Sequence, residues 1–266
     1  MKKAWGICLS LVLLFLLTAC GTKSPFASQG VFETGTPVAA TTMPTPAPTP
    51  VLQTSTPVVS TPSPIAKAYE IKTDDFSYQK NNCDFKASYP QLVSSALPNL
   101  ADINARIKDS ALETINASYG LDDGSTTTIE TTGTVTYSDP DFISITFNEY
   151  YNNSLAAHPW NGFRTLNINL KDGSTVTLKD MIKQSKALYQ ALLNAANEQL
   201  SDYLADEITL DIIKDGFYSD TIYFTPDRVG FSLEVFHVMG DHLELTLPYD
   251  KVKPFITGNK LWNKFI

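Results

Sequence analysis

Between residues 21 and 66 this chain has almost nothing with which to build a core. Nine of its sixteen prolines fall there, in runs such as TTMPTPAPTP and TPVVSTPSP, and charged and aromatic residues are nearly absent. Such a stretch buries too little apolar surface to offset the entropy of ordering it. Proline biases the backbone to extended polyproline II, so the segment reads as a disordered, semi-rigid stalk with a reach of roughly 100 Å or more. The fold must therefore lie in residues 67–266, which suffice for a sizeable core in one domain or two small modules.

The residues before the stalk are patterned differently. Met1-Lys2-Lys3 is basic, residues 4–17 are apolar, and Leu17-Thr18-Ala19-Cys20 follows. A basic start, a short apolar run and small residues make an export signal, and the run is shorter than the ~18–20 residues of a spanning helix. LTAC resembles the lipobox of bacterial lipoproteins, in which the cysteine becomes the acylated first residue of the mature chain. The expectation is a signal peptide over 1–19, a lipidated Cys20 heading the 20–66 stalk, and an anchor on the outer face of the bacterial cytoplasmic membrane. Two or more acyl chains hold a protein stably.

Cysteine and charge counts narrow the rest. Cys8 leaves with the leader and Cys20 is acylated, so only Cys83 remains, with no intramolecular disulfide. Cys83 lies in the alternating NNCDFKASYP and is expected to be buried as a small hydrophobe. The leader holds two lysines and no acid, so 18 basic and 28 acidic residues remain past it, a net charge of −10. That excludes nucleic acid as a partner and fits a cationic protein or plain solubility.

Within 67–266 the patterns are those of an α+β fold with antiparallel sheet and two main helices. YEIKTDDFSY and CDFKASYP alternate around a polar QKNN and read as a hairpin. Leu100, Ile103, Ile107, Ala111 and Ile115 share one helical face, with Pro98 near the start and Gly120 as the stop. Asp102 and Arg106 are placed for an i,i+4 pair. TTTIETTGTVTYS and FISITFNEYY read as strands around Asp139-Pro140-Asp141, and GFRTLNINL with STVTL as a hairpin across Lys171-Asp172-Gly173. A second helix is expected over 185–204, with Leu188, Leu192, Ala195 and Tyr203 inward. Two strands flank Thr225-Pro226-Asp227, HLELTL is the last strand, and a short helical segment follows it. YSDPDFISITF and FTPDRVGFSLEVF are alike, which suits two related halves or convergent hairpin chemistry.

Chemistry is harder to find. There is no HExxH, CxxC, GxSxG or Gly-rich phosphate loop, so no enzyme and no cofactor are expected. In HVMGDH, a four-residue turn would set His237 and His242 across a hairpin, with Asp241 or Glu244 adding an oxygen. A metal-assisted envelope hydrolase is the alternative built on that pair. The stretch EYYNNSLAAHPWNGFRTLNINL carries Tyr150, Tyr151, His158, Trp160 and Phe163 among asparagines. Such residues suit stacking on a sugar face or anchoring a protein. They also suit plain packing, with Phe163 and one tyrosine in the core and Trp160 over the hairpin end.

EYYNNSLAAHPWNGFRTLNINLKDGSTVTLKDMI and FTPDRVGFSLEVFHVMGDHLELTLPYDKVKPFI resemble the extracellular domain of RsiV-like, lysozyme-sensing anti-sigma factors. FKASYPQL and LADINARIKDSAL resemble the accessory module of PdaC-type peptidoglycan deacetylases. The likeness spans about residues 69–256 and divides the chain into an accessory-type module, 67–136, and an RsiV-like module, 137–266. It implies an α+β binding domain of the bacterial envelope, with peptidoglycan or a lysozyme-like cationic protein as partner, bound through Tyr150, Tyr151, His158 and Trp160. Family members often carry Gly-Gly before the Ala-His, where this chain has Leu155-Ala156-Ala157-His158. The deacetylase catalytic motifs are absent and no sigma-binding segment precedes the export signal, so neither activity is expected. A purely structural envelope lipoprotein is the remaining reading.

Overall fold

The computed structural model describes residues 69–80, 82–119, 124–217 and 221–266. The leader, Cys20 and the stalk lie outside the described residues, as does the helix stop expected at Gly120.

Alternation produces the first hairpin as expected. Strand β1, Glu70–Lys80, pairs antiparallel with β2, Cys83–Val93, with Lys80 opposite Cys83. Asn82 closes the turn at φ 62°, a left-handed conformation that asparagine tolerates. Phe85, Ala87 and Tyr89 of β2 point inward, and Cys83 at the strand's end is half-buried rather than buried. The predicted helix is two pieces, α1, Leu100–Ala111, and α2, Glu113–Ser118, broken at Leu112. The break buries Leu112 as well as Ile103, Ile107, Ala111 and Ile115. Asp102 and Arg106 do not form the ion pair that their spacing allows; Arg164 from the sheet is the cation that pairs with this helical segment, through Glu113.

Because α1 and α2 carry the chain back across the sheet, β3, Thr127–Ser138, runs parallel to β2. This is one parallel pair in a sheet expected to be antiparallel. Strands β4, Phe142–Asn153, and β5, Trp160–Asn169, then pair antiparallel, giving the order β1-β2-β3-β4-β5. Phe85, Ile129, Ile145, Phe147 and Ile168 pack with Ile103, Ile107 and Ile115 of the helices in a first core.

The turn at Gly173 (φ 73°) forms, but its second limb is only a bridge, Ile168 to Thr175. The predicted hairpin ends there because Thr177 donates its N–H and hydroxyl to Asp180 (2.8 and 2.9 Å) and starts α3, Leu178–Met181. Helix α4, Lys186–Gln199, is capped by Ser185, whose Oγ accepts from the Leu188 N–H, and buries Leu188, Leu192 and Ala195. It stops at Gln199, and Tyr203 sits exposed on the separate α5, Asp202–Glu207, instead of facing inward. After α6, Leu210–Gly216, strands β6, Ile222–Phe224, β7, Arg228–Glu234, and β8, His242–Pro248, make an antiparallel three-stranded sheet. Helix α7, Tyr249–Val252, follows. A second core joins Leu188, Phe224, Phe231, Leu245, Val252 and Trp262 with Phe142 from the first sheet.

Polar side chains join the two sheets. The outer edge of β6 needs partners for its backbone groups. Ser144 Oγ accepts from the Phe224 N–H (3.0 Å), and Asn167 Nδ2 donates to the Ile222 carbonyl (2.7 Å), both buried. The Gln199 amide does the same for β8, donating to Thr246 O (2.8 Å) and accepting from its N–H (3.0 Å). Residues 136 and 137, where the two modules are expected to meet, both lie inside β3. Among the described residues no helix is long and apolar enough to cross a membrane.

Candidate functional site

Period-two alternation decides which way the aromatic stretch points. Ile143, Ile145 and Phe147 of β4 face the helix-side core, so Glu149 and Tyr151 share that face and Tyr150 lies on the other. On β5, Leu166 and Ile168 face the helices, as do Arg164, Gly162 and Trp160. Asn161, Phe163 and Asn167 face the three-stranded sheet. Tyr150, Tyr151, His158 and Trp160 thus ring the end of the β4–β5 hairpin and do not share one face. Phe163 is buried, as the packing reading has it, while Trp160 lies over Gly162, where a Cβ would come within 2.4 Å of its ring.

Beneath Trp160 lies a carboxylate that sequence patterning missed. Glu149 is only 4% exposed and sits 3.5 Å from Arg164, which also pairs with Glu113 of α2 at 3.0 Å. Arginine thus ties helix to sheet. Glutamate in a strand of alternating polarity carries no signal of burial, so only the fold reveals it.

All three histidines meet at this end of the molecule. The 154–159 loop carries His158, whose ring stacks on His237 with centroids 3.4 Å apart and planes 10° from parallel. His237 does not face His242 across a hairpin. It opens a 3-10 turn, His237–Met239, while Glu234 is the residue paired with His242. The turn closes through Gly240 (φ 105°) and Asp241 (φ 72°). The Asp241 carboxylate accepts from His237 Nδ1 (2.9 Å), from the Asn161 N–H (2.9 Å) and from Asn161 Nδ2 (3.2 Å). A carboxylate only accepts, so His237 carries its proton on Nδ1. These contacts clasp the β4–β5 loop to the β7–β8 turn. Among the described residues, no group of three His, Cys, Asp or Glu side chains is placed to hold a metal ion.

The electrostatics follow from burial. Burial works to raise the Asp241 carboxyl, but hydrogen bonds from Asn161 and His237 outweigh it and hold it below the usual range. Burial lowers the His242 imidazole, with Asp241 offsetting part of the effect. Glu244 is raised by burial, against a hydrogen bond from Tyr223 (3.3 Å). The sign for stability is the same for His242 and Asp241 and opposite for Glu244, whose raised carboxyl favours the folded state as pH falls. Unfolded histidine titrates near about 6.5, so the unfolded chain takes up the proton first and stability falls as pH drops through that value. Asp241 contributes above its unfolded value of about 3.9 and loses that contribution as pH falls through its lower folded value. Urea denaturation at pH 7.5 and 5.5 is expected to show lower stability at 5.5, with His242→Asn flattening the difference. An unchanged difference in that variant would assign the pH dependence elsewhere.

What this corner presents is apolar. Leu155 is 71% exposed, Phe236 71%, Val238 84%, Trp160 44% and Tyr150 37%. Phe236 and Val238 flank His237, while Leu155 and Trp160 flank His158, so the stacked rings bring the two sets together. Elsewhere, in the polar cleft among Asp141, Lys171, Asn259, Lys260 and Lys264, Lys264 pairs with Asp139 (2.8 Å) and Asp141 (3.3 Å) and Lys171 with Asp141 (2.9 Å).

The fold is one already seen in a solved structure. A DUF3298-family protein of Bacteroides fragilis superposes with a TM-score of 0.52 at 16% identity, covering 75% of this chain and 98% of that one. A DUF3298-family protein of Pseudomonas aeruginosa PAO1 gives 0.48 at 17% identity, covering 74% and 96%. No protein-family profile and no curated protein matches the chain. The likeness shows an α+β fold shared with the Bacteroides fragilis protein.

Proposed function

We propose that this chain is a surface lipoprotein, held on the outer face of the membrane through Cys20 and a Pro/Thr-rich stalk. Its folded part is a non-enzymatic binding domain for a cell-wall component or a wall-acting protein such as lysozyme. The observation that carries this reading is the clasped corner. Half of the ten large hydrophobic side chains exposed among the described residues sit on the two segments joined by the His158–His237 stack or on the strand ends beside them. Scattered apolar residues are ordinary on a surface, but a concentrated group marks a contact site. Tryptophan and tyrosine among them are the residue types that anchor interfaces. A net charge of −10 past the leader favours a cationic partner by complementarity.

The test is capture of the full chain, in detergent, by peptidoglycan sacculi and by immobilised lysozyme at low and high salt. Salt-sensitive capture by lysozyme is expected if charge contributes, and salt-resistant capture by sacculi if aromatic contact dominates. Capture by neither would leave the chain as a structural lipoprotein.

A further inference from the structure

The side of the β3–β4–β5 sheet turned away from α1 and α2 is covered by the second sheet only in part. Where that cover ends, cross-strand register lines up two rows of side chains. Glu130, Tyr150 and Asn161 are successive partners across the three strands, and Thr132, Asn148 and Phe163 form the next row. Phe163 lies beneath the second sheet, against Tyr223 and His242. The β7–β8 turn supplies a wall, Gly240 and His242, and the whole encloses a cleft of about 360 Å³. Three strands at their usual spacing span about 10 Å and two residues along a strand about 7 Å, so the floor has the footprint of a sugar ring or two.

The lining leaves exposed polar groups open to a ligand. Among the described residues, the side chains of Thr132, Asn148 and Tyr150 take part in none of the side-chain hydrogen bonds. His242 Nδ1 is buried and has no hydrogen-bond partner. Other atoms of the His242 ring border the cleft. Glu130, whose side chain shares this face, has Lys86 at 3.9 Å, but that ammonium lies closer to Asp84 at 3.0 Å, and the imidazole is held toward its neutral form, so the cleft has an acidic rim that disfavours an anionic ligand. What it offers is an aromatic face, an amide, a hydroxyl, a carboxylate and an imidazole converging on one space. That combination matches the C–H face and the hydroxyl or acetamido edge of a pyranose.

We infer that the cleft between Tyr150, Asn148 and His242 binds a sugar ring of a neutral glycan. The inference rests on reading the domain as an envelope binding module, and it assigns the sugar to a face distinct from the Trp160 side of the hairpin. The ring stacks on Tyr150, Asn148 and Thr132 bond its polar edge, and the His242 imidazole borders it.

The full chain in detergent is titrated with the tetramer of N-acetylglucosamine by calorimetry. Asn148→Ala and Tyr150→Ala are each expected to weaken binding by tenfold or more, with unchanged melting temperature because both side chains are exposed. Tyr203→Ala, an exposed aromatic on α5 outside both sites, is expected to leave tetramer affinity within about twofold. No binding of the tetramer at millimolar concentration, or equal binding by wild type and both cleft variants, would overturn the site. Sacculus or lysozyme capture that persists in either case would show that only the sugar assignment has failed. Absence of tetramer, sacculus and lysozyme binding together would remove the envelope reading as well. Tetramer binding that depends on Asn148 and Tyr150 without sacculus capture would keep the site and exclude the intact wall as its source.

Discussion

Trp262→Ala is expected to lower unfolding free energy by about 3–5 kcal/mol, the range for truncating a fully buried large aromatic. The indole is almost wholly buried at the centre of a 3-10 segment, Lys260–Lys264, and its Nε1–H donates to the Met181 carbonyl at 2.8 Å. Its ring meets Phe224 edge-on, and Phe265 beside it stacks on Phe224 and Tyr249. Alanine would open a cavity and remove one of two donors to the Met181 carbonyl, which keeps the Thr257 N–H at 2.8 Å. For a domain of this size, each kcal/mol lowers Tm by roughly 2–4 °C, so the melt should shift by about 6–20 °C. A shift of under 2 °C would show that the C-terminal segment does not belong to the core.

Asn167→Ala tests the junction between the sheets. The side chain is buried on β5 and donates to the Ile222 carbonyl of β6, the edge strand of the other sheet. Removing it leaves that carbonyl buried without a partner, which costs about 1–3 kcal/mol. Asn167 Oδ1 has no partner of its own, so its loss offsets a part of the cost. A net destabilisation of about 1–3 kcal/mol by urea denaturation is expected. Ser144→Ala, which removes the acceptor for the Phe224 N–H, should be non-additive with it, because both side chains serve one edge. Strict additivity would mean that the two sheets are held mainly by the apolar core.

Legibility in the sequence depended on whether a feature was local. The β1–β2 hairpin, the β3–β4 turn at Asp139-Pro140-Asp141, the inward face of α4 and the strands around Thr225-Pro226-Asp227 were all readable, because alternation, helical spacing and turn residues act over a few positions. The parallel β2–β3 pair was not, since chain direction after a helix is set by packing. The limb after Gly173 reads as a strand until Asp180 is seen to serve Thr177. Tyr203 fits the helical period of α4 but falls beyond the end at Gln199. At the candidate site, the aromatic stretch and HVMGDH were both visible as separate curiosities. Their joining through His158 and His237 spans 79 positions and has no local signal. The same is true of Asn161 with Asp241 and of the cleft residue Asn148, which stands out only once three strands are in register.

The most direct test of a binding corner compares wild type with a variant carrying Leu155→Ser, Trp160→Ala, Phe236→Ser and Val238→Ser, all exposed positions, in capture by lysozyme. Loss of at least tenfold in captured affinity with an unchanged melt is the predicted result. Equal capture by the two proteins, with the variant folded, would contradict the assignment of this corner as the binding surface.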